Sequence, residues 1–294
     1  TCTFTNTKYG SITIVKDSNP DSSQGFGFTG PDGKYFALDG DNDDTNQFPS
    51  TITFSNLPAD SYTVGEYPDD YYGVWTLTNL ICTDPTNNSS ADATNPYQAN
   101  IDLAPGETVT CTFTNELKGK IIVQKETLPN DSTETFEFDP SWSTSNFSLK
   151  DGQSFESGNL IPGNYSIVEN NKDGWTLSSA TCSDKSDPSN ISLQSNETVT
   201  CTFTNTRNTG SVAFVKTVDF GPGQPSDWKF AVYDNNGGLV GNTFASGGTY
   251  SLNTGTYTVT ETPSGNASEG YSFNTASGIC SVNPTNNKIV MNVT

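Results

Sequence analysis

Short segments in which apolar and polar residues alternate run the length of the chain, each bounded by Gly, Pro, Asn or Asp. GSITIVK (10–16), SYTVGE (61–66) and CTFTN (111–115) are examples. A period of two places successive side chains on opposite faces, so each segment predicts a short antiparallel strand with one buried and one wetted face. No stretch has the periodicity of an amphipathic helix, and none is apolar over the length needed to span a bilayer.

These segments recur in a fixed order. GSITIVK, GKIIVQK (119–125) and GSVAFVK (210–216) each open a unit; SYTVGE, NYSIVE (164–169) and TYTVTE (256–261) stand in the middle. GVWTLTNLIC (73–82), DGWTLSSATC (173–182) and EGYSFNTASGIC (269–280) follow. A period of roughly 90 to 110 residues is that of a whole domain, and about seven short strands per unit predict a β-sandwich. Boundaries fall near 117 and 207, giving a fragment at 1–7 and domains at 8–117, 118–207 and 208–294. No Pro- or Gly-rich linker intervenes, so a stiff rod is expected.

In their order and threefold repetition the motifs resemble the prealbumin-like domains of bacterial and archaeal surface proteins, the collagen-binding B-type (CnaB, SpaA-like) family. The resemblance extends over essentially the whole chain. It implies an all-β architecture of three tandem Ig-like sandwiches.

The same period exposes an oddity within the rows. Ile12, Ile14 and Lys16 share a face, as do Tyr62, Val64 and Glu66, and Cys111, Phe113 and Asn115. The second unit repeats this with Lys125, Glu169 and Asn205. A Lys, a Glu and an Asn therefore each end a core-facing row, and isolated buried charges are costly. Either they reach water at strand ends, as an ion pair, or they meet and react. The family resemblance implies the second: a Lys–Asn isopeptide bond assisted by an acidic residue, here Lys16–Asn115 with Glu66 and Lys125–Asn205 with Glu169.

The third unit has Lys216 and Glu261, but no CTFTN follows. KIVMNVT is either a degenerate last strand, with Met291 at the cysteine position, or the strand before the last. Spacing favours the second reading. Cys182 to Ile191 and Cys280 to Ile289 are both nine residues, while Ile191 to Cys201 and Ile101 to Cys111 are both ten. The next cysteine would then fall at 299, and Thr294 would match Asn196. The strand absent there stands at the other end of the chain as TCTFTNT, with Thr1 aligned on Thr200 and three residues (ETV) between. Residues Thr1, Cys2, Thr3, Phe4, Thr5, Asn6 and Thr7 are thus expected to complete the third domain of a neighbouring copy, giving a head-to-tail homopolymer. Asn6 would face Lys216 and Glu261 there.

The six cysteines follow the repeat and lack C-x-x-C spacing, which favours disulfides and an oxidising, extracellular setting. Cys82 can pair with Cys111 and Cys182 with Cys201, leaving Cys2 for Cys280 of the next copy. The N-x-S/T sequons at Asn87, Asn88, Asn130, Asn146, Asn164, Asn190, Asn196, Asn266 and Asn292 are glycosylation candidates. A net charge of −20 disfavours nucleic acid and anionic membrane surfaces as partners. With no histidine, paired cysteines and no nucleophile–base motif, turnover chemistry is not expected.

DGDNDD puts Asp39, Asp41 and Asp43 at alternate positions, the start of a calcium loop. It lacks the following Gly and has Ser50 where the twelfth-position Glu belongs, so a solvated acidic loop is preferred and no cofactor is expected. Trp75, Trp175 and Tyr271 share one repeat position and read as core, whereas Trp142 and Trp228 are less constrained. The reading is a secreted filament subunit, the alternative a three-domain segment of a longer surface stalk or adhesin; any surface receptor stays unidentified.

Overall fold

The structure is a computed structural model and describes residues 1–68, 73–264, 270–273, 275–283 and 288–294. Apart from a 3₁₀ turn at Pro225–Asp227, the elements among these residues are strands, and their sheets fall into three successive sets.

The first set comprises β1 (Gly10–Asn19), β2 (Phe26–Thr29), β3 (Tyr35–Leu38), β4 (Thr51–Leu57), β5 (Asp60–Glu66), β6 (Trp75–Thr83), β7 (Ser90–Ala91), β8 (Gln98–Leu103) and β9 (Thr108–Leu117). Two sheets, ordered β4-β1-β9-β6 and β3-β2-β5-β8-β7, close on Ile12, Ile14, Phe28, Val64, Ile101 and Phe113, all buried. The predicted alternation holds in β1, where buried and half-buried positions follow one another as far as Ser18. First and last strands are neighbours and run parallel, from Ser11↔Thr108 to Asn19↔Glu116. β4 covers β1 only from Gly10 to Val15, so beyond that point β1 is a strand because β9 lies beside it.

The second set repeats this with β10 (Lys120–Leu128), β11 (Phe136–Pro140), β12 (Phe147–Leu149), β13 (Ser154–Glu156), β14 (Gly163–Tyr165), β15 (Ile167–Glu169), β16 (Trp175–Cys182), β17 (Ile191–Leu193) and β18 (Thr198–Arg207). One sheet is β13-β10-β18-β16, with β10 and β18 again parallel; β12-β11-β15 and β14-β17 form the other layer. Each last strand runs almost directly into the next first strand: β9 ends at Leu117 and β10 begins at Lys120, and β18 ends at Arg207 with β19 (Thr209–Ala213) beginning two residues on.

The third set continues with β20 (Trp228–Tyr233), β21 (Phe244–Ala245), β22 (Thr249–Asn253), β23 (Gly255–Pro263), β24 (Cys280–Val282) and β25 (Ile289–Val293). Its β21-β20-β23-β25-β24 sheet is complete, but β19 pairs with β22 alone among the described residues. β25 lies antiparallel to β23 as β8 does to β5, so KIVMNVT is the strand before the last. β19 is also half as long as β1. It stops at Ala213, the counterpart of Thr13 and Ile122, two residues before the point where β4 and β13 leave the continuation of β1 and β10 to the last strand alone.

Spacing placed the register of that strand two residues out. One tyrosine per domain donates to a carbonyl four residues upstream: Tyr62 to Pro58, Tyr165 to Ile161 and Tyr257 to Asn253, at 2.9, 2.7 and 2.7 Å. With the tyrosines as markers, Tyr62 faces Ile101, Tyr165 faces Ile191 and Tyr257 faces Met291. Met291, rather than Ile289, therefore matches Ile191, and Thr294 matches Gln194. The interval to Thr1 becomes five residues, those matching Ser195–Val199. The error arose because the stretch from Cys280 to the strand is two residues longer in the third domain.

Candidate functional site: two buried Lys–Glu–Asn clusters and an open third

Lys16 stands near the end of the core-facing row of β1, with Ser18 alone beyond it, while Glu66 ends that of β5 and Asn115 that of β9, and all three are buried. Lys16 and Lys125 are among the largest fully buried side chains of the protein. In the first domain Asn115 Nδ2 donates to Glu66 Oε1 at 2.5 Å, and Lys16 Nζ donates to the carbonyls of Asp17 (2.5 Å) and Phe113 (3.2 Å). Asn115 Oδ1 and Glu66 Oε2 have no hydrogen-bond partner. In the second domain the cluster is tighter. Lys125 Nζ donates to Asn205 Oδ1 at 2.8 Å and lies 3.7 Å from Glu169 Oε2, while Asn205 Nδ2 donates to Glu169 Oε1 at 2.5 Å.

Below each amine lies an aromatic ring: Phe26 at 4.2 Å, Phe136 at 4.2 Å and, in the third domain, Trp228 at 4.6 Å. Each ring is met edge-on by the residue of the shared aromatic position, Trp75, Trp175 or Tyr271. Trp228, less constrained by sequence alone, is the third member of this series. The interval from lysine to ring grows from ten to eleven to twelve residues, which hides the correspondence.

Burial disfavours charge on both partners. Desolvation pushes the Lys16 ammonium down to about 8 against the attraction of Glu66, and pushes Glu66 up to about 7 against that of Lys16. Lys125 is lowered and Glu169 raised, again mainly by burial. Both shifts favour the uncharged forms, so a neutral amine beside a neutral carboxyl is brought within reach. In the second domain the amine meets the carboxamide oxygen directly and a carboxyl lies against the amide nitrogen; in the first the carboxyl holds the amide nitrogen while the buried amine rests on the Phe113 carbonyl two residues before Asn115.

The third domain brings together only two members. Lys216 Nζ and Glu261 Oε2 are 2.8 Å apart, each side chain 17% exposed. Residues 1–9 carry no strand pairing and are exposed, Phe4 at 91%.

Cys82–Cys111 and Cys182–Cys201 are disulfide-bonded across directly opposed positions of β6/β9 and β16/β18. Cys2 and Cys280 are free. Cys280 lies opposite Met291 in β24/β25, on the other sheet from that of its counterparts, and burial pushes its thiol up.

The calcium-loop candidate is not assembled. Asp41 and Asp43 accept from backbone and side chains within their own loop, including the amides of Asp43 and Thr45. Asp39 is buried separately, with Oδ1 on the Ser50 hydroxyl, and among the described residues no three acidic or thiol groups gather to hold a metal. The sequon residues Asn87, Asn88, Asn130, Asn146, Asn164, Asn190, Asn196 and Asn292 are exposed; Asn266 lies outside the described residues.

Comparison with known proteins gives two family matches. The prealbumin-like fold domain family matches residues 12–117, and a domain family of unknown function (DUF7601) matches 108–207. No match was found among curated proteins. Among solved structures, the Bacillus anthracis TIE protein is 16% identical over 98% of this chain and 48% of its own, with a TM-score of 0.45. The chain thus spans about half the length of that relative. The major pilin T-13 of Streptococcus pyogenes is 16% identical (69% of this chain, 98% of its own, TM-score 0.29). The pilus adhesin SpaC of Lactobacillus rhamnosus GG is 14% identical (88% and 37%, TM-score 0.33). Residues 12–117 of the chain are thus similar to the prealbumin-like fold domain family.

Proposed function

We propose that this chain is a structural subunit of an extracellular filament, in which residues 1–7 of one copy become the last strand of the third domain of the next. The carrying observation is that, among the described residues, β19 has no strand on one side, whereas its equivalents β1 and β10 both have a parallel partner there with the CTFTN motif. An exposed strand edge is an association site, and adding a strand satisfies it through main-chain hydrogen bonds. On the incoming strand, Phe4 takes the position of Phe113 and Phe203, which meet Phe28 and Phe138 edge-on at 5.2 Å. Phe230 is the matching ring in the third domain. The contact is heterologous and propagates as an open polymer.

Covalent locking extends the reading. In the first two domains a neutral lysine amine attacks the asparagine Cγ, forming the C–Nζ bond. The glutamic acid protonates Nδ2, which leaves as ammonia, and then recovers a proton from Nζ, so the carboxyl is unchanged overall. The same step on a docked Asn6, with Lys216 and Glu261, links copies end to end. A Cys2–Cys280 disulfide further requires the segment ending at Cys280 to leave β25 and lie along the incoming strand, as β6 lies along β9. The exposed sequon residues are candidates for glycans on such a filament.

Two measurements test the chemistry. The reacting form needs a proton on Glu66 and none on Lys16, whose values are about 7 and about 8. Bond formation in freshly refolded protein should therefore be fastest between those values. It slows below pH 7 as Lys16 is protonated and above pH 8 as Glu66 ionises. A rate rising monotonically with pH would remove Glu66 from the reaction. On gels of boiled polymer, a ladder that collapses on reduction marks Cys2–Cys280, and one that survives marks Asn6–Lys216. Monomer alone under non-reducing conditions refutes both. N-terminal sequencing of native material separates the filament from a longer stalk, in which further sequence precedes Thr1.

A further inference from the structure

The first two domains meet through a small set of hydrogen bonds around the 117–120 connection. The Lys118 amide donates to the carbonyl of Val74 in the preceding domain, the Asn196 amide of the following domain donates back to Leu117 O, and Lys120 N, just past the connection, donates to Glu197 O within the second domain. Ser195, in the same loop, reaches back with its hydroxyl to the carbonyls of Leu117 (3.0 Å) and Asn19 (2.5 Å), the latter at the end of β1. The second connection repeats the first bond, with the Asn208 amide donating to Gly174 O.

The segment before the first domain carries the other half of this pattern. Aligning Cys2 with Cys111 places Lys8 on Leu117, Tyr9 on Lys118 and Ser11 on Lys120. Gly106 N donates to Lys8 O at 3.0 Å, and Ser11 N donates to Glu107 O at 2.9 Å, as Asn196 and Lys120 do. The loop Ala104–Glu107 therefore already holds the root of the N-terminal segment as the loop Gln194–Glu197 holds the first connection. At the far end, Phe220 occupies the position of Pro20, next to the carbonyl that Ser195 contacts in the first joint, and is 94% exposed.

Resting on the strand-donation reading, we infer that the joint between copies is a third instance of the joint within the chain. The loop Ala104–Glu107 of the next copy seats on the end of the third domain, with exposed Pro105, which replaces Ser195, against Phe220. The Tyr9 amide of the next copy donates to the carbonyl of Gly270, the counterpart of Gly174. Where the internal joint uses a serine hydroxyl on a carbonyl, the joint between copies buries a proline against an aromatic ring. Domains then follow one another along the polymer with the spacing of the first two.

The test replaces Phe220 with the photoreactive analogue p-benzoylphenylalanine, polymerises the chain, irradiates it and maps the products by mass spectrometry. The expected product links position 220 to the peptide containing Pro105 of another copy, and is absent when residues 1–7 are deleted. Polymer that forms without this link overturns the joint and leaves strand donation standing. Full-length chain that stays monomeric at all concentrations overturns both. Separately, Phe220→Ser is expected to raise the concentration needed for polymerisation by about tenfold, since it removes an apolar anchor from the contact; an unchanged concentration excludes Phe220 from it.

Discussion

A chain lacking residues 1–7 is expected to remain monomeric where the full sequence forms polymers, and this is the largest single effect anticipated. The deletion touches no folded core: residues 1–7 are exposed and outside any strand, and β1 begins at Gly10. Circular dichroism and the melting of the first two domains should be unchanged. What disappears is the strand that would cover β19. Adding the peptide TCTFTNT in excess to the full chain is expected to cap growing ends and shorten polymers. Each docked peptide should also extend the strand structure of the third domain from Ala213 towards Asp219, visible as slowed amide exchange at 214–218. Polymers that form equally well without residues 1–7 would refute strand donation outright.

The second large effect concerns the buried clusters. Asn115→Ala and Asn205→Ala are each expected to leave the intact mass heavier by one ammonia, once the substituted side chain is accounted for, and to lower the melting temperature of the affected domain steeply. A crosslink closing a loop of about 100 residues stabilises by roughly 4–5 kcal/mol on chain-entropy grounds. For a domain of this size that corresponds to roughly 20–30 °C. The variants also leave Lys16 or Lys125 buried without its carboxamide neighbour, which adds to the loss. Glu66→Gln should give the same unreacted mass with a smaller structural penalty, because the amide keeps the shape of the carboxyl. A wild-type mass equal to the uncrosslinked sequence would eliminate the isopeptide reading and leave two buried lysines and two buried glutamates to be explained otherwise.

Much of this was readable from alternation alone. A period of two put Lys16, Glu66 and Asn115 at the ends of core-facing rows, and these are among the few buried polar side chains. The cysteine pairs followed from repeat position, because opposed residues on neighbouring strands recur at fixed places in each unit. Lengths of irregular segments were not readable. The two extra residues before β25 shifted the inferred register, and the widening interval before Trp228 concealed the ring beneath Lys216. Spacing within a strand is fixed by backbone geometry, whereas a loop can absorb residues with little effect on the strands it joins. In the acidic loop the carboxylates serve the amides of their own turns, a local use that the one-dimensional pattern does not separate from coordination.

The parallel pairing of first and last strands has a mechanical consequence. Tension on a chain of such domains enters at the start of β1 and leaves at the end of β9, at opposite ends of one strand pair. The ladder from Ser11↔Thr108 to Asn19↔Glu116 is then loaded in shear, so its bonds resist together rather than opening one after another. With Lys16 joined to Asn115, the load would pass from seven residues of β1 straight into the last three of β9. The rest of the sandwich would carry almost no force, and a strand donated from the next copy would meet the same geometry.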